Sequence, residues 1–339
     1  MNQSLVNIPI PNWYNIEISS QCNLKCPYCP TGRGEIPVSG RGYLSREDFH
    51  IILEKIRPHA QMVQLFNWGE PFMNKDVFYF IETLTSAGIS SQISSNLSVR
   101  LFDEETLERL VNSGLESLLA SIDGITQQSY EAYRRNGDVS KTLTNLRNIQ
   151  LTKERLNSQT PHLIWGFHLN RFNEHEVDAA REFANEIGID IWFKELSCPD
   201  DFQSTLIRKI PEILLPPANL HKLWRGRQNG HLPSFELDPR LPKTCNVCRM
   251  PFEILVVGTD GSVFPCTGVV GSDFVVGNLV RDSLEDIWHR AMKENREQLT
   301  SVSVARPWSQ CYKCKHFSAR NRNNQNRRTG ADLTSPRHD

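Results

Sequence analysis

Six short apolar segments alternate with six amphipathic helical segments over the first two-thirds of the chain. Parallel strands need long crossover connections, usually helices, so this alternation predicts a parallel sheet that is either open or curled into a partial barrel. Gly88, Gly114 and Gly188 each follow a helical segment and precede a strand, as helix-ending glycines do. The predicted strands are 14–19, 62–66, 90–94, 117–121, 163–169 and 189–195, and the predicted helices are 45–56, 75–87, 103–112, 127–134, 139–156 and 174–187.

The pattern changes after residue 196. Residues 197–244 are rich in proline, which predicts a linker with a short helix near 218–225 and a role in shaping a substrate pocket. Residues 245–317 form a second small unit, in which 254–257 and 263–265 flank an Asp-Gly turn typical of a hairpin and 283–297 are helical. Residues 318–339 are polar without periodicity, which predicts a disordered tail.

Composition restricts the functional classes. The 339 residues carry a formal net charge of −1, so no global field draws the protein to nucleic acid or to a membrane surface. No run of about 18 apolar residues suggests a membrane span, and the N-terminus lacks the pattern of a secretory signal. We therefore expect a cytoplasmic protein with reduced thiols, whose nine cysteines are metal ligands or catalytic groups rather than disulfides.

A first group of cysteines, Cys22, Cys26 and Cys29, follows the first predicted strand. Three thiolates at this spacing can bind three irons of a [4Fe–4S] cluster and leave the fourth iron open for an external ligand, such as the amino and carboxylate groups of a methionine. A zinc knuckle is the alternative, but zinc normally takes four ligands and no histidine lies at ligand spacing here.

This Cys-x-x-x-Cys-x-x-Cys motif, with Tyr28 before its last cysteine, resembles the signature of the radical S-adenosylmethionine (SAM) superfamily. Further stretches resemble that family in order, each following a predicted strand. The resemblance covers residues 12–196 and implies a partial (β/α)6 barrel whose strand ends bind SAM. The implied SAM contacts are Tyr28, Gly69, Glu70, Ser94, Ser95, Asn96, Ser121, Asp123, Arg134 and Asn170.

A second group of cysteines lies in the C-terminal unit: Cys245, Cys248, Cys266, Cys311 and Cys314. The two Cys-x-x-Cys pairs are compatible with an all-cysteine zinc site. Their overall spacing resembles the twitch domain, the short form of the SPASM domain, and this resemblance implies a small α+β domain with an auxiliary [4Fe–4S] cluster. The implied ligands are Cys248, Cys266, Cys311 and Cys314, with Cys245 as a spare or alternative ligand.

The resemblance implies reductive cleavage of SAM to a 5′-deoxyadenosyl radical, with an electron from flavodoxin or ferredoxin. The spacing is most similar to that of aminocyclitol radical SAM dehydrogenases of antibiotic biosynthesis, which implies a carbohydrate-like small molecule and an auxiliary cluster that accepts an electron. Epimerisation, with Cys198 or Cys245 as hydrogen donor, remains an alternative. A peptide substrate is the third reading, although only about a dozen residues precede the first strand, too few for a leader-binding module. Lys194, Glu195 and Cys198 are the candidates for acting on the substrate.

Overall fold

The computed structural model describes residues 8–35, 42–217, 250–269, 271–293 and 295–296. In the barrel region six parallel strands pair in chain order, from β1 to β6, and this confirms the predicted β/α alternation. The strands are β1 (Trp13–Ile16), β2 (Met62–Gln64), β3 (Ser90–Ser95), β4 (Ser117–Ser121), β5 (His162–Leu169) and β6 (Asp190–Glu195). The helices between them are α1 (Arg46–Ile56), α2 (Val77–Ser86), α3 (Glu104–Asn112), α4 (Gln127–Tyr133), α5 (Val139–Arg155) and α6 (Val177–Glu186).

Local sequence signals fix several helix ends. Ser45, Asp103 and Asp138 cap the starts of α1, α3 and α5, because each side chain accepts a hydrogen bond from a backbone N–H in the first turn. Gly88, Gly114 and Gly188 follow α2, α3 and α6 with φ of 74°, 82° and 70°, values that glycine adopts readily. The predicted role of these glycines is confirmed.

The two faces of the sheet differ in polarity. One face is apolar and packs against the helices, as fully buried Ile16 and Trp165 illustrate. The opposite, concave face carries a row of buried amides across neighbouring strands. Gln64 Nε2 donates to Gln92 Oε1 at 2.6 Å, and Gln92 Nε2 donates to Ser117 Oγ at 3.1 Å. The barrel interior is therefore polar at this level, unlike the branched apolar filling usual in closed barrels.

The C-terminal unit continues the same sheet. After α7 (Leu206–Lys209) and α8 (Met250–Glu253), β7 (Ile254–Val257) pairs parallel with β1, and β8 (Ser262–Phe264) and β9 (Gly277–Asn278) extend the edge with antiparallel pairing. The predicted hairpin is confirmed, but its union with the barrel sheet was not foreseen. Of the helix predicted over 283–297, the described residues 284–293 and 295–296 are helical, with a π-helical centre, Asp286–Ala291.

Hydrogen bonds from two side chains add to the β1–β7 pairing that joins the C-terminal unit to the barrel. Lys55 Nζ on α1 donates to the carbonyl oxygens of Leu279, Val280 and Asp282 at 2.7, 3.1 and 2.9 Å. Trp288 Nε1 donates to Pro9 O at 2.8 Å. The helix predicted near 218–225, most of the 197–244 linker and the 318–339 tail lie outside the described residues, so the division into segments stays a prediction.

Candidate active site

The loop after β1 gathers the first cysteine group. Cys22, Cys26 and Cys29 belong to a small apolar group that also contains Tyr133 and Phe202. Burial, reinforced by the nearby charge of Glu70, raises the pKa of Cys22 to about 12, and burial raises the pKa of Cys26 to about 11. Thiols in this environment ionise when a cation binds them, because a metal ion stabilises the thiolate directly.

The spacing of these thiols suits a cluster rather than one ion. In the described part of the chain no three Cys, His, Asp or Glu side chains converge closely enough to hold a single metal ion. In a [4Fe–4S] cluster each cysteine binds a different iron, so its ligands stand further apart. Three thiols on one loop, with Cys26 buried and Cys22 and Cys29 partly buried, therefore fit the cluster as donors.

Glu70, six residues beyond the end of β2, lies beside this loop, and its backbone N–H donates to Gln21 O at 2.7 Å. Its buried carboxylate accepts hydrogen bonds from Ser95 Oγ at 2.7 Å, Asn96 N at 2.8 Å and Phe72 N at 3.1 Å. Burial raises its pKa despite these donors. Gly69 has no room for a side chain, because a Cβ there would lie 1.9 Å from Ser19 O. The structure thus brings the predicted Gly69, Glu70, Ser95 and Asn96 together.

Glu17, just beyond β1, is a residue that the sequence analysis missed. Its Oε1 accepts hydrogen bonds from Trp68 N at 2.8 Å and Gly69 N at 3.1 Å, so it fixes the backbone that presents Glu70. The signal that could have found Glu17 is its position two residues after Asn15 at a central strand. Residues two apart on a strand face the same side, here the barrel interior, where an acid is buried.

A charged group lies across the mouth of the barrel, at the ends of β4, β5 and β6. Asp123 is fully buried and pairs with Arg134 at 2.5 Å, and it accepts a hydrogen bond from His168 N at 2.6 Å. Burial by itself would raise the pKa of Asp123, but Arg134 and His168 hold it well below its usual range. Burial lowers the pKa of His168 to about 4, so this unpredicted residue is neutral at pH 7.

Lys194 and Glu195 occupy different sides of β6, because neighbouring strand residues point to opposite faces. Lys194 shares the concave face with His168, and burial lowers the pKa of Lys194 to about 8. Glu195 is exposed and lines a separate cavity of about 80 Å³ with Ser204 and Arg208. The structure therefore groups only Lys194 with the predicted SAM contacts.

The other predicted contacts line the same mouth. Ser94 Oγ and Ser121 Oγ lie 3.1 Å apart. Asn170 accepts a hydrogen bond from Phe172 N at 2.9 Å, while its buried Nδ2 has no hydrogen-bond partner within the described residues. Tyr28 packs edge-on against Phe202 with ring centroids 4.9 Å apart.

Two further cysteines, Cys198 and Cys266, lie within the described residues. Cys198 packs against the same apolar group as Cys22 and Cys29. Cys266 follows β8 and packs, like Trp13 of β1, against an apolar group formed around β7 and β8. The remaining cysteines of the second group, Cys245, Cys248, Cys311 and Cys314, lie outside the described residues. The ligand set of the auxiliary cluster, Cys248, Cys266, Cys311 and Cys314, therefore stays a prediction.

Two family models match this chain. The model of the Radical SAM superfamily matches residues 16–182, and the SPASM model, an iron–sulfur cluster-binding domain, matches residues 248–315. The chain belongs to the radical SAM superfamily. As a radical SAM enzyme with a SPASM domain, it binds a [4Fe–4S] cluster and SAM in the barrel and auxiliary iron–sulfur in the C-terminal domain. Such an enzyme needs a reductant and acts on a small molecule or a peptide.

Curated relatives of this radical SAM enzyme include GTP 3′,8-cyclases. That of Clostridium botulinum (strain Hall) is 21% identical over 185 residues, which cover 55% of this chain and 56% of the relative. That of Alkaliphilus metalliredigens is 24% identical over 276 residues, which cover 75% and 80%. The chain spans about half the length of several of the curated relatives it matches.

Solved structures share the fold. SuiB of Streptococcus suis, bound to S-adenosylmethionine, has a TM-score of 0.62 at 16% identity, with 91% of this chain and 71% of SuiB covered. BtrN in complex with AdoMet and 2-DOIA has a TM-score of 0.50 at 17% identity, with 86% and 88% covered. The predicted fold class, a partial barrel followed by a SPASM-type domain, is confirmed. Within the described residues no helix is long and apolar enough to cross a membrane.

Proposed function

We propose that this radical SAM enzyme dehydrogenates a carbohydrate-like alcohol: a sugar, an aminocyclitol or a nucleoside. Oxidation of an alcohol removes a hydrogen atom, a proton and an electron, so the protein needs a group that takes the proton near neutral pH. The observation that carries the proposal is the amine of Lys194 on the concave face, whose pKa burial lowers to about 8.

Different residues of the chain bind each cofactor in this proposal. Cys22, Cys26 and Cys29 hold the SAM-binding cluster, and the carboxylate of Glu70 accepts a hydrogen bond from the amine of SAM. The auxiliary cluster is held by Cys248, Cys266, Cys311 and Cys314. When bound, these cofactors supply a 5′-deoxyadenosyl radical for hydrogen abstraction and an acceptor for the electron of the substrate. The remaining SAM contacts are Tyr28, Gly69, Ser94, Ser95, Asn96, Ser121, Asp123, Arg134 and Asn170.

Lys194 is suited to take the proton because its surroundings leave the amine available. The carboxylate of Asp123 pairs with Arg134 and His168. Among the described residues no carboxylate lies within 4.0 Å of Lys194 Nζ. The ring centroid of Trp192 is 5.3 Å from Nζ. Gly166 lies next to this amine, since a Cβ at that position would be in van der Waals contact with Nζ, at 3.5 Å.

The class of substrate rests on two kinds of likeness. The cysteine spacing resembles that of aminocyclitol dehydrogenases, and the fold is similar to that of BtrN, crystallised with AdoMet and 2-DOIA. Both support a role in the biosynthesis of an antibiotic or a related natural product. Flavodoxin or ferredoxin as the reductant remains a prediction.

Epimerisation is the second candidate, and one observation favours it. Cys198 packs against the apolar group that contains the cluster cysteines, so its thiol lies on the side where a substrate radical would form. A thiol there could return a hydrogen atom to the opposite face of the substrate carbon.

The test uses anaerobically reconstituted enzyme, SAM, a reductant and a panel of sugars, aminocyclitols and nucleosides in deuterium oxide. Dehydrogenation yields 5′-deoxyadenosine and a ketone without deuterium at the reacting carbon, and the Cys198→Ala and Cys198→Ser variants retain turnover. One deuterium in the product, with loss of turnover in both variants, would establish the epimerase instead. A panel without any substrate-dependent 5′-deoxyadenosine would refute both.

A further inference from the structure

Asn96, at the end of β3, connects the two halves of the SAM site. It is 4% exposed, and its backbone N–H donates to Glu70 Oε2 at 2.8 Å. Its side-chain Nδ2 donates to Asn23 Oδ1 at 3.0 Å and lies 3.7 Å from Cys22 Sγ, within hydrogen-bonding distance for sulfur. One residue thus contacts both the carboxylate next to SAM and a cysteine of the cluster loop.

The orientation of this amide is determined by its other end. Asn96 Oδ1 accepts a hydrogen bond from Ser98 N at 2.7 Å. The reversed orientation would set the NH2 group against that N–H and lose the bond, so the hydrogen-bond pattern assigns Nδ2 to the cysteine loop. The two donor hydrogens of Nδ2 match its two acceptors, Asn23 Oδ1 and Cys22 Sγ.

Cys22 receives a second donor from the backbone, Leu24 N at 3.4 Å. Hydrogen bonds to cysteine sulfur stabilise the more negative, reduced form of an iron–sulfur cluster and so raise its reduction potential. The negative charge of Glu70, near the same cysteine, disfavours the more negative form and so lowers the reduction potential. The donors around Cys22 therefore offset a carboxylate that SAM binding requires nearby.

We propose that Asn96 is a positioning residue that links Glu70 to the cluster ligand Cys22 and raises the reduction potential of the SAM-binding cluster. The proposal rests on Cys22 as a ligand and is independent of the substrate. The potential is measured without substrate, so a failure here is distinguishable from a failure of the proposed dehydrogenation.

The experiment is an EPR-monitored redox titration of the reconstituted holoenzyme and its Asn96→Leu variant. We expect the midpoint of the SAM-binding cluster to become more negative, by about the 59 mV that corresponds to a tenfold change in a one-electron ratio. The auxiliary cluster provides an internal reference, and its midpoint should not move. A second variant, Asn96→Ala, removes the donor without adding charge or bulk, so it should shift the midpoint in the same direction.

Asn145→Leu is the matched control. This buried asparagine supports the same loop, with Nδ2 donating to Leu97 O at 2.9 Å and Arg100 O at 2.7 Å, but its partners include no cysteine. An unchanged midpoint in the Asn96 variants, or an equal shift in Asn145→Leu, would overturn the proposal. If Asn96→Leu takes up no cluster, the midpoint of Asn96→Ala is the test: a negative shift supports the proposal, and an unchanged midpoint overturns it.

Discussion

The two sides of the barrel mouth differ in how far the protein itself satisfies their polar groups. On the β1–β3 side, Glu70 accepts three hydrogen bonds and Asn96 uses both ends of its amide. On the β4–β6 side, Lys194 has no carboxylate within 4.0 Å among the described residues, and burial lowers its pKa. We infer that the first side is preorganised for the SAM-binding cluster and the amine of SAM, whereas the second, beside its own predicted SAM contacts, leaves one titratable amine for the substrate.

Asp123→Asn should have the largest effect, because it leaves the buried Arg134 charge without its partner. Side-chain exposures of 0% for Asp123 and 12% for Arg134 place this pair in the interior, where breaking a pair costs about 3–5 kcal/mol. Denaturant unfolding, monitored by tryptophan fluorescence, measures the loss in the free energy of unfolding. The depressed pKa of Asp123 also contributes stability that is present above about pH 4 and lost as the pH falls below it.

The exposed pair Arg147–Glu186 is the matched control for that loss. Its side chains are 39% and 59% exposed at a distance of 2.7 Å, so Glu186→Gln should cost no more than about 1 kcal/mol. If Asp123→Asn and Glu186→Gln lower the free energy of unfolding equally, the Asp123–Arg134 pair does not behave as an interior ion pair.

Lys194→Arg should have the next largest effect, on catalysis rather than on folding. In the proposed dehydrogenation the neutral amine of Lys194 takes the proton, so turnover of the wild type should rise with pH through about 8, whereas arginine stays protonated and lowers turnover by roughly 10²-fold or more. Asp123, Arg134 and His168 face this amine, and only Lys194 is expected to titrate between pH 7 and 9. A pH profile of kcat/KM provides the measurement.

Lys153→Met is the control for the pH profile. Burial also lowers the pKa of Lys153, but this residue lines a groove with His162 and Asp190, at the opposite end of β5 and β6. The rise near pH 8 should persist in Lys153→Met and disappear in Lys194→Arg. Its persistence in Lys194→Arg would assign the proton to another group.

Gly166→Ala should have the smallest effect of the three. A Cβ at Gly166 would lie 3.1 Å from Leu119 Cδ1, so the end of this flexible leucine must move. It would also lie 3.5 Å from Lys194 Nζ, a van der Waals contact that restricts the space around the amine. We expect a stability cost of about 1 kcal/mol and a fall in turnover of several-fold. Thermal unfolding and steady-state kinetics separate the two effects, and Gly42→Ala, where a Cβ would have no neighbour within 4 Å, is the control. Unchanged turnover in Gly166→Ala would show that Lys194 needs no fixed position.

The sequence by itself determined the features that depend on neighbouring residues. Alternating apolar segments and helix caps predicted the β/α order, and the spacing of Cys22, Cys26 and Cys29 predicted the cluster loop. These signals are local, because a helix end or a cluster loop is set by residues a few positions apart. The hairpin around β7 and β8 was predictable for the same reason.

Only the tertiary structure decided which distant residues meet. The pairing of β7 with β1 joins residues more than 200 positions apart, and no local pattern encodes such a contact. Glu17 and His168 became part of the site because strand alternation turned them toward the concave face, and the same alternation turned Glu195 away. The role of Asn96 depends on two distant chain segments, around Cys22 and Glu70, that come into hydrogen-bonding distance of it only when the sheet has formed.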